Sequence, residues 1–170
     1  MVSTAQARRD AFDTGTQDLK RALDSFIDER LAAMLAAEEL GGPVVGDLAD
    51  IDDDMLAAGF NAQGKAKPLR GDGDDVVRQK RFDAIWGRIM DIDSEEGTSS
   101  ERDAAGMEIK VLIEELIATL IGESADGGVY VDLPRESAAA RFLVRAKVAQ
   151  FHPKDARKLK LIDFGREIDD

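Results

Sequence analysis

The hydrophobic period of this chain changes once, and that change constrains the fold more than any other feature. Up to residue 121, apolar side chains recur at three- and four-residue spacing; beyond Gly127-Gly128 they alternate. The first spacing lines side chains along one face of an α-helix, and the second puts them on one face of a strand. Helices written first and strands last predict an α+β fold. We expect four to five helices and then a small antiparallel β element, a hairpin over 142–164. The organisation expected is an acidic helical region, 1–126, with a basic hairpin region, 127–170, packed on it as one domain.

The clearest helix covers 16–40, where Leu19, Leu23, Phe26, Ile27, Leu31, Met34 and Leu35 form one stripe. Thr16 is the candidate cap, and Gly41-Gly42-Pro43 stops the helix with a left-handed position and a residue that cannot continue it. A shorter helical stretch around 3–13 precedes it, with Gly15 expected to bend or break the connection. A short helix near 53–58 has Asp52 as its cap and Gly59 as its end. Asp74 or Asp75 can cap the next, about 76–90, whose apolar side is Val77, Phe82, Ile85, Trp86 and Ile89. Ser100 with Asp103 resembles a capping box opening a helix to Ile121. The later turns of that helix are apolar nearly all round, which predicts either a central core helix or a helix with one side covered by another subunit.

After the glycine pair, Val129-Tyr130-Val131-Asp132-Leu133 reads as a short strand ended by Pro134. Residues 142–151 and 158–164 read as two paired strands. Phe142, Val144, Ala146 and Val148 then face the core, and Arg145, Lys147, Lys158 and Lys160 share the opposite face.

Charge reverses in the same region. Residues 135–160 carry eight Lys/Arg against two acids, whereas residues 1–134 carry 14 against 29, within a chain of net charge −12. An acidic body repels phosphate, so nucleic acid is not expected to bind the whole surface. The basic face, with Lys154 and Arg157 at the hairpin tip, is the best candidate contact surface. The predicted protein-binding residues are Arg145, Lys147, Lys154, Arg157, Lys158 and Lys160. A helix followed by a two-stranded wing also resembles the end of a winged-helix arrangement, but its recognition slot falls on 135–141, an Ala-rich stretch with few base-reading side chains.

Bulk composition narrows the classes further. With no cysteine there is no disulfide, thiolate metal site or cysteine nucleophile. No apolar run reaches the length of a membrane span, and the first residues lack the apolar core of a signal peptide. The expected location is therefore the cytoplasm, or a virion assembled there, without membrane partners.

Each catalytic pattern fails its second requirement. The acids at 47, 50, 52, 53 and 54 and those from Asp91 onward lack the glycine and glutamate spacing of a calcium loop, so helix capping and solvation explain them better. Glu108-Ile109-Lys110 matches half of a metal-dependent nuclease site, with Asp91, Asp93 or Asp103 upstream, but that chemistry needs a strand and this segment reads as helix. Lys160-Leu161-Ile162-Asp163-Phe164-Gly165 resembles the magnesium-binding stretch of protein kinases without the phosphate loop or catalytic loop such an enzyme needs. His152, the sole histidine, rules out two-histidine sites and reads as a turn residue. Trp86 reads as a core anchor.

The sequence therefore predicts a non-enzymatic assembly subunit, without catalytic residues, metal or cofactor. Its partners are copies of itself or neighbouring subunits in a ring or filament, such as a phage or virion connector. The basic hairpin of one copy would meet the acidic surface of the next, a head-to-tail contact. The alternatives are a DNA-binding or nucleoprotein subunit using the hairpin, and an acidic immunity or inhibitor protein binding a basic target through 47–54 or 91–96.

Overall fold

In a computed structural model, residues 2–47, 50–68, 74–90, 100–122 and 129–163 are described below. The acidic loop with Asp91 and Asp93, the Gly127-Gly128 pair and Phe164 lie outside the described residues. Among the described residues the elements are α1 (Val2–Phe26), a π-helical turn (Ile27–Leu31), α2 (Ala32–Glu39), α3 (Asp53–Ala58), α4 (Asp74–Met90), α5 (Glu101–Leu120), β1 (Val131–Asp132), α6 (Ala138–Arg145), β2 (Ala149–His152) and β3 (Asp155–Leu161), helices before strands as predicted except that α6 lies between β1 and β2. The class is α+β, mainly helical with a small C-terminal antiparallel sheet.

Local chemistry sets most of the boundaries. The Asp52 carboxylate accepts from the Met55 N–H at 2.8 Å, and Gly59 closes α3 at φ +77°. Ser100 accepts from the Asp103 N–H at 3.2 Å at the start of α5, satisfying one of the donors a helix start leaves orphaned. Leu40 and Gly41, the latter at φ +87°, end α2 as expected. Gly15 does not break the first helix, which runs through it unbroken. Thr16 does not cap; its hydroxyl donates back to the Phe12 carbonyl from within the helix. Between α1 and α2 the backbone widens into the π turn, a single extra residue in the hydrogen-bond ring that leaves no mark in the apolar spacing.

The core centres on α2 against α5. Ala32, Ala33, Ala36 and Ala37 are buried in α2 around Leu35, and Ile109, Leu112 and Leu116 are buried in α5. The two helices pack tightly at Gly106, where an added Cβ would lie 3.3 Å from that of Ala32. Trp86 of α4 is fully buried, as read from the sequence. Glu101, 2% exposed, is held by two 2.7 Å hydrogen bonds from Arg78, one from Nε and one from a terminal nitrogen. Burial alone would raise its pKa; the Arg78 pair reverses that and holds it below the ordinary carboxylate range.

The hairpin is shorter than its sequence pattern. Residues 138–145 form α6, which takes in the first four residues, 142–145, of the strand expected over 142–151. Ser137 caps this helix by accepting from the Ala140 N–H at 3.2 Å, and Ala138, Ala139 and Ala140 are small enough to seat against the core. The alternation of Phe142, Val144 and Ala146 is therefore a partial view of a helix, because three alanines and two long-range arginine pairs decide the conformation. The sheet order is β1-β3-β2, all antiparallel, with Val131 opposite Leu159 and Ala149 opposite Leu161. Leu159 is fully buried at its centre.

Candidate protein-docking cleft

The structure divides the basic segment in two. Its first three arginines are used inside the molecule. Arg145 donates to both oxygens of Glu38, at 3.1 and 2.7 Å, and Arg141 Nε adds a 3.1 Å bond to the same carboxylate. Arg145 was expected on an outward strand face; it instead lies on α6, pinned to the end of α2. Burial works to raise the Glu38 pKa, but hydrogen bonds from Arg145, the Val45 N–H and Arg141 outweigh it and hold the group below its usual range. Arg135 bridges Glu39 and Glu108, lying 2.8 Å from Glu108 Oε1. Glu39 also accepts from the Ala138 N–H at 2.6 Å, and Glu108 Oε2 accepts from the Trp86 indole at 3.1 Å. Burial pushes Glu108 up to about 6; Arg135 opposes that and the Glu39 carboxylate adds to it.

The remaining predicted cations stay outside. Lys147 sits just past α6 at φ +61°. Lys158 is 3.3 Å from Asp132 across the sheet, and the Lys160 ammonium stands over the Tyr130 ring at 5.4 Å. Lys154 and Arg157 are exposed at the tip.

The patterns that resembled enzyme sites have other uses. Asp52 caps α3 and Asp53 pairs with Arg102 at 3.0 Å. Glu108 faces Arg135 and Trp86, whereas Lys110 points away to Asp28 at 2.7 Å, so the Glu-x-Lys pair does not share a face. His152 ends β2 and accepts the Lys154 N–H on Nδ1 at 3.1 Å. The winged-helix likeness also changes meaning. α6 stands in the slot of a groove-reading helix, yet its first turn is buried and its arginines are committed to Glu38.

An unpartnered apolar surface lies between α1 and α5. Only from Ile27 onward is the long N-terminal stripe buried; before it, Leu19 is 74% and Phe26 47% exposed. Phe12, Thr16, Leu19, Leu23 and Phe26 recur with alternating four- and three-residue steps, the seam spacing of a coiled coil. α5 turns Ile109, Leu112 and Leu116 to the core and leaves Ile117 and Ile121 open, the latter 61% exposed. Leu19, Leu23 and Ile27 on one wall and Ile113, Ile117 and Ile121 on the other enclose a cleft of about 490 Å³. Along it Lys20 of α1 pairs with Glu114 of α5 at 3.2 Å, and Lys110 of α5 pairs with Asp28 of the π turn at 2.7 Å. The cleft escaped the site prediction because its walls lie about ninety residues apart in sequence; the one signal was the surplus of apolar residues in 109–121.

Comparison with known proteins gives one informative likeness. A chain in "The crystal structure of kinetochore subunits Cenp-H/I/K triple complex" matches at 33% sequence identity and a TM-score of 0.53, over 96% of this chain and 99% of that one. This chain belongs to the family of that kinetochore-complex subunit. No protein-family model and no curated protein matches it. Among the described residues, no helix is long and apolar enough to cross a membrane, and no three acidic or histidine side chains gather as a metal-binding group.

Proposed function

We propose that this chain is a non-enzymatic subunit of a multi-protein complex of the kinetochore kind, held to a neighbouring subunit through the α1–α5 cleft. The carrying observation is the apolar surface of Leu19, Leu23, Ile117 and Ile121, which this chain leaves exposed along the cleft. Contiguous exposed apolar surface at such a site is the mark of a protein interface. The occupant that fits is an amphipathic helix. The walls are themselves helices, and α1 carries the heptad spacing that a third helix would match. Kinship with a subunit of the Cenp-H/I/K complex supports a partner of a different sequence over a ring or filament of identical copies, and the kinetochore over a virion or the cytoplasm.

The test is co-purification with the other subunits of a Cenp-H/I/K-type complex. The wild-type chain should be retained, and a Leu23→Asp/Ile117→Asp variant should be lost while keeping its circular dichroism, because both side chains are partly exposed in the free chain. Equal retention of the folded variant would rule out the cleft as the docking site.

A further inference from the structure

A second surface lies on the sheet, away from the cleft, and its chemistry is the opposite. The register places Asp132 beside Lys158 and Gln150 beside Lys160, on the face turned away from buried Val131, Leu159 and Ala149. On that outer face the Tyr130 and His152 rings meet edge to face, with centroids 5.0 Å apart, and Lys160 lies over the tyrosine. The His152 Nδ1 is occupied by the Lys154 N–H, which puts the neutral ring's proton on Nε2 as a donor. Among the described residues, Lys154, Arg157 and Lys160 make no ion pair. Asp155, the acid nearest the tip, is engaged by the Arg157 N–H at 3.0 Å. Lys147, at the far end of β2 from the tip, does not belong to this group.

We propose that the outer face and tip of the three-stranded sheet bind an acidic segment of another protein. Lys154, Arg157 and Lys160 take its carboxylates, with the Tyr130 hydroxyl and the His152 ring beside them as hydrogen-bond donors. Charge complementarity selects this occupant, since the patch is a basic island on a chain of net charge −12. Nucleic acid fits less well. A duplex carries a charge roughly every 1.7 Å along its axis, so it would run past the small patch and over the acidic body. The helix that would enter a groove is packed inward with its arginines spent. A short peptide meets the patch alone.

The experiment is fluorescence anisotropy at low and rising salt with two probes, a labelled oligoglutamate peptide and a labelled random DNA duplex. Peptide binding that weakens as salt rises is expected, reduced about tenfold or more by Lys154→Glu/Arg157→Glu and several-fold by the milder Lys160→Gln. Leu23→Asp/Ile117→Asp should leave it unchanged, which separates this surface from the cleft. No peptide binding at about 50 mM salt would overturn the proposal, as would binding indifferent to the tip charges. Tighter binding of the duplex, lost in the same variants, would overturn it in favour of nucleic acid.

Discussion

Glu108 provides the sharpest test of how the inner charges work. Two carboxylates, Glu39 and Glu108, face the single guanidinium of Arg135 in a largely enclosed site, and burial raises the Glu108 pKa from 4.5 to about 6. A carboxyl that is harder to ionise in the folded chain than in the unfolded one weakens folding wherever it must be charged. Below about 4.5 both states hold the proton and the penalty vanishes; it develops as pH rises toward 6 and is complete above it. The gap from 4.5 to about 6, at about 1.36 kcal/mol per pH unit, amounts to about 2 kcal/mol. Glu108→Gln removes the titration while keeping shape. It also leaves one acceptor where Arg135 and Trp86 both need one, a cost that does not depend on pH. Urea unfolding followed by Trp86, the only tryptophan, should be run on both proteins from pH 4 to 7.5. The stability advantage of wild type over Glu108→Gln should shrink by about 2 kcal/mol across that range. Parallel pH curves for the two proteins would refute the reasoning, since they would mean Glu108 titrates alike in both states.

Glu38→Ala should behave in the opposite sense. It strips three arginine hydrogen bonds and the Val45 N–H from a carboxylate that is 7% exposed, and should destabilise by about 2–3 kcal/mol at neutral pH. Because the Glu38 pKa is lowered, its contribution is present above the ordinary carboxylate pKa and lost as pH falls through the folded value, so acid titration should bring variant and wild type together. Lys147→Gly should raise stability by roughly 0.5 kcal/mol in the same urea assay. It relieves about 1–2 kcal/mol of left-handed strain and adds about 0.4–1 kcal/mol of unfolded-chain freedom. In the wild type, Lys147 N–H bonds the Val144 carbonyl and Val148 N–H the Leu143 carbonyl, the pattern in which glycine is favoured at the left-handed position.

How far the sequence reached is best seen at α6. Ser137-Ala138-Ala139-Ala140 is a good helix opening, yet the alternation that follows it suits a strand equally well, and eight residues are too few for local pattern to decide. Glu38 and Glu39, about a hundred residues upstream, decide it by fixing Arg141, Arg145 and the start of the helix. The same contacts removed Arg145 from the predicted binding face. Lys154, Arg157, Lys158 and Lys160 stayed outside because they lie on the turn and strand that the pattern did identify. The caps at Asp52 and Ser100 were readable because a side chain bonding a backbone N–H three residues on is a purely local event.

By itself the sequence determined the α+β class, the helix starts at Asp52 and Ser100, the stops at Gly41 and Gly59, the buried tryptophan and the existence of surplus apolar surface in 109–121, all consequences of period and short-range hydrogen bonding. Only the tertiary structure decided which charges are spent inside the chain and which apolar residues stay uncovered. Pairing between α1 and α5, or between α2 and α6, joins residues roughly ninety or more positions apart. Such pairings depend on competing packing of whole helices, which no local spacing records.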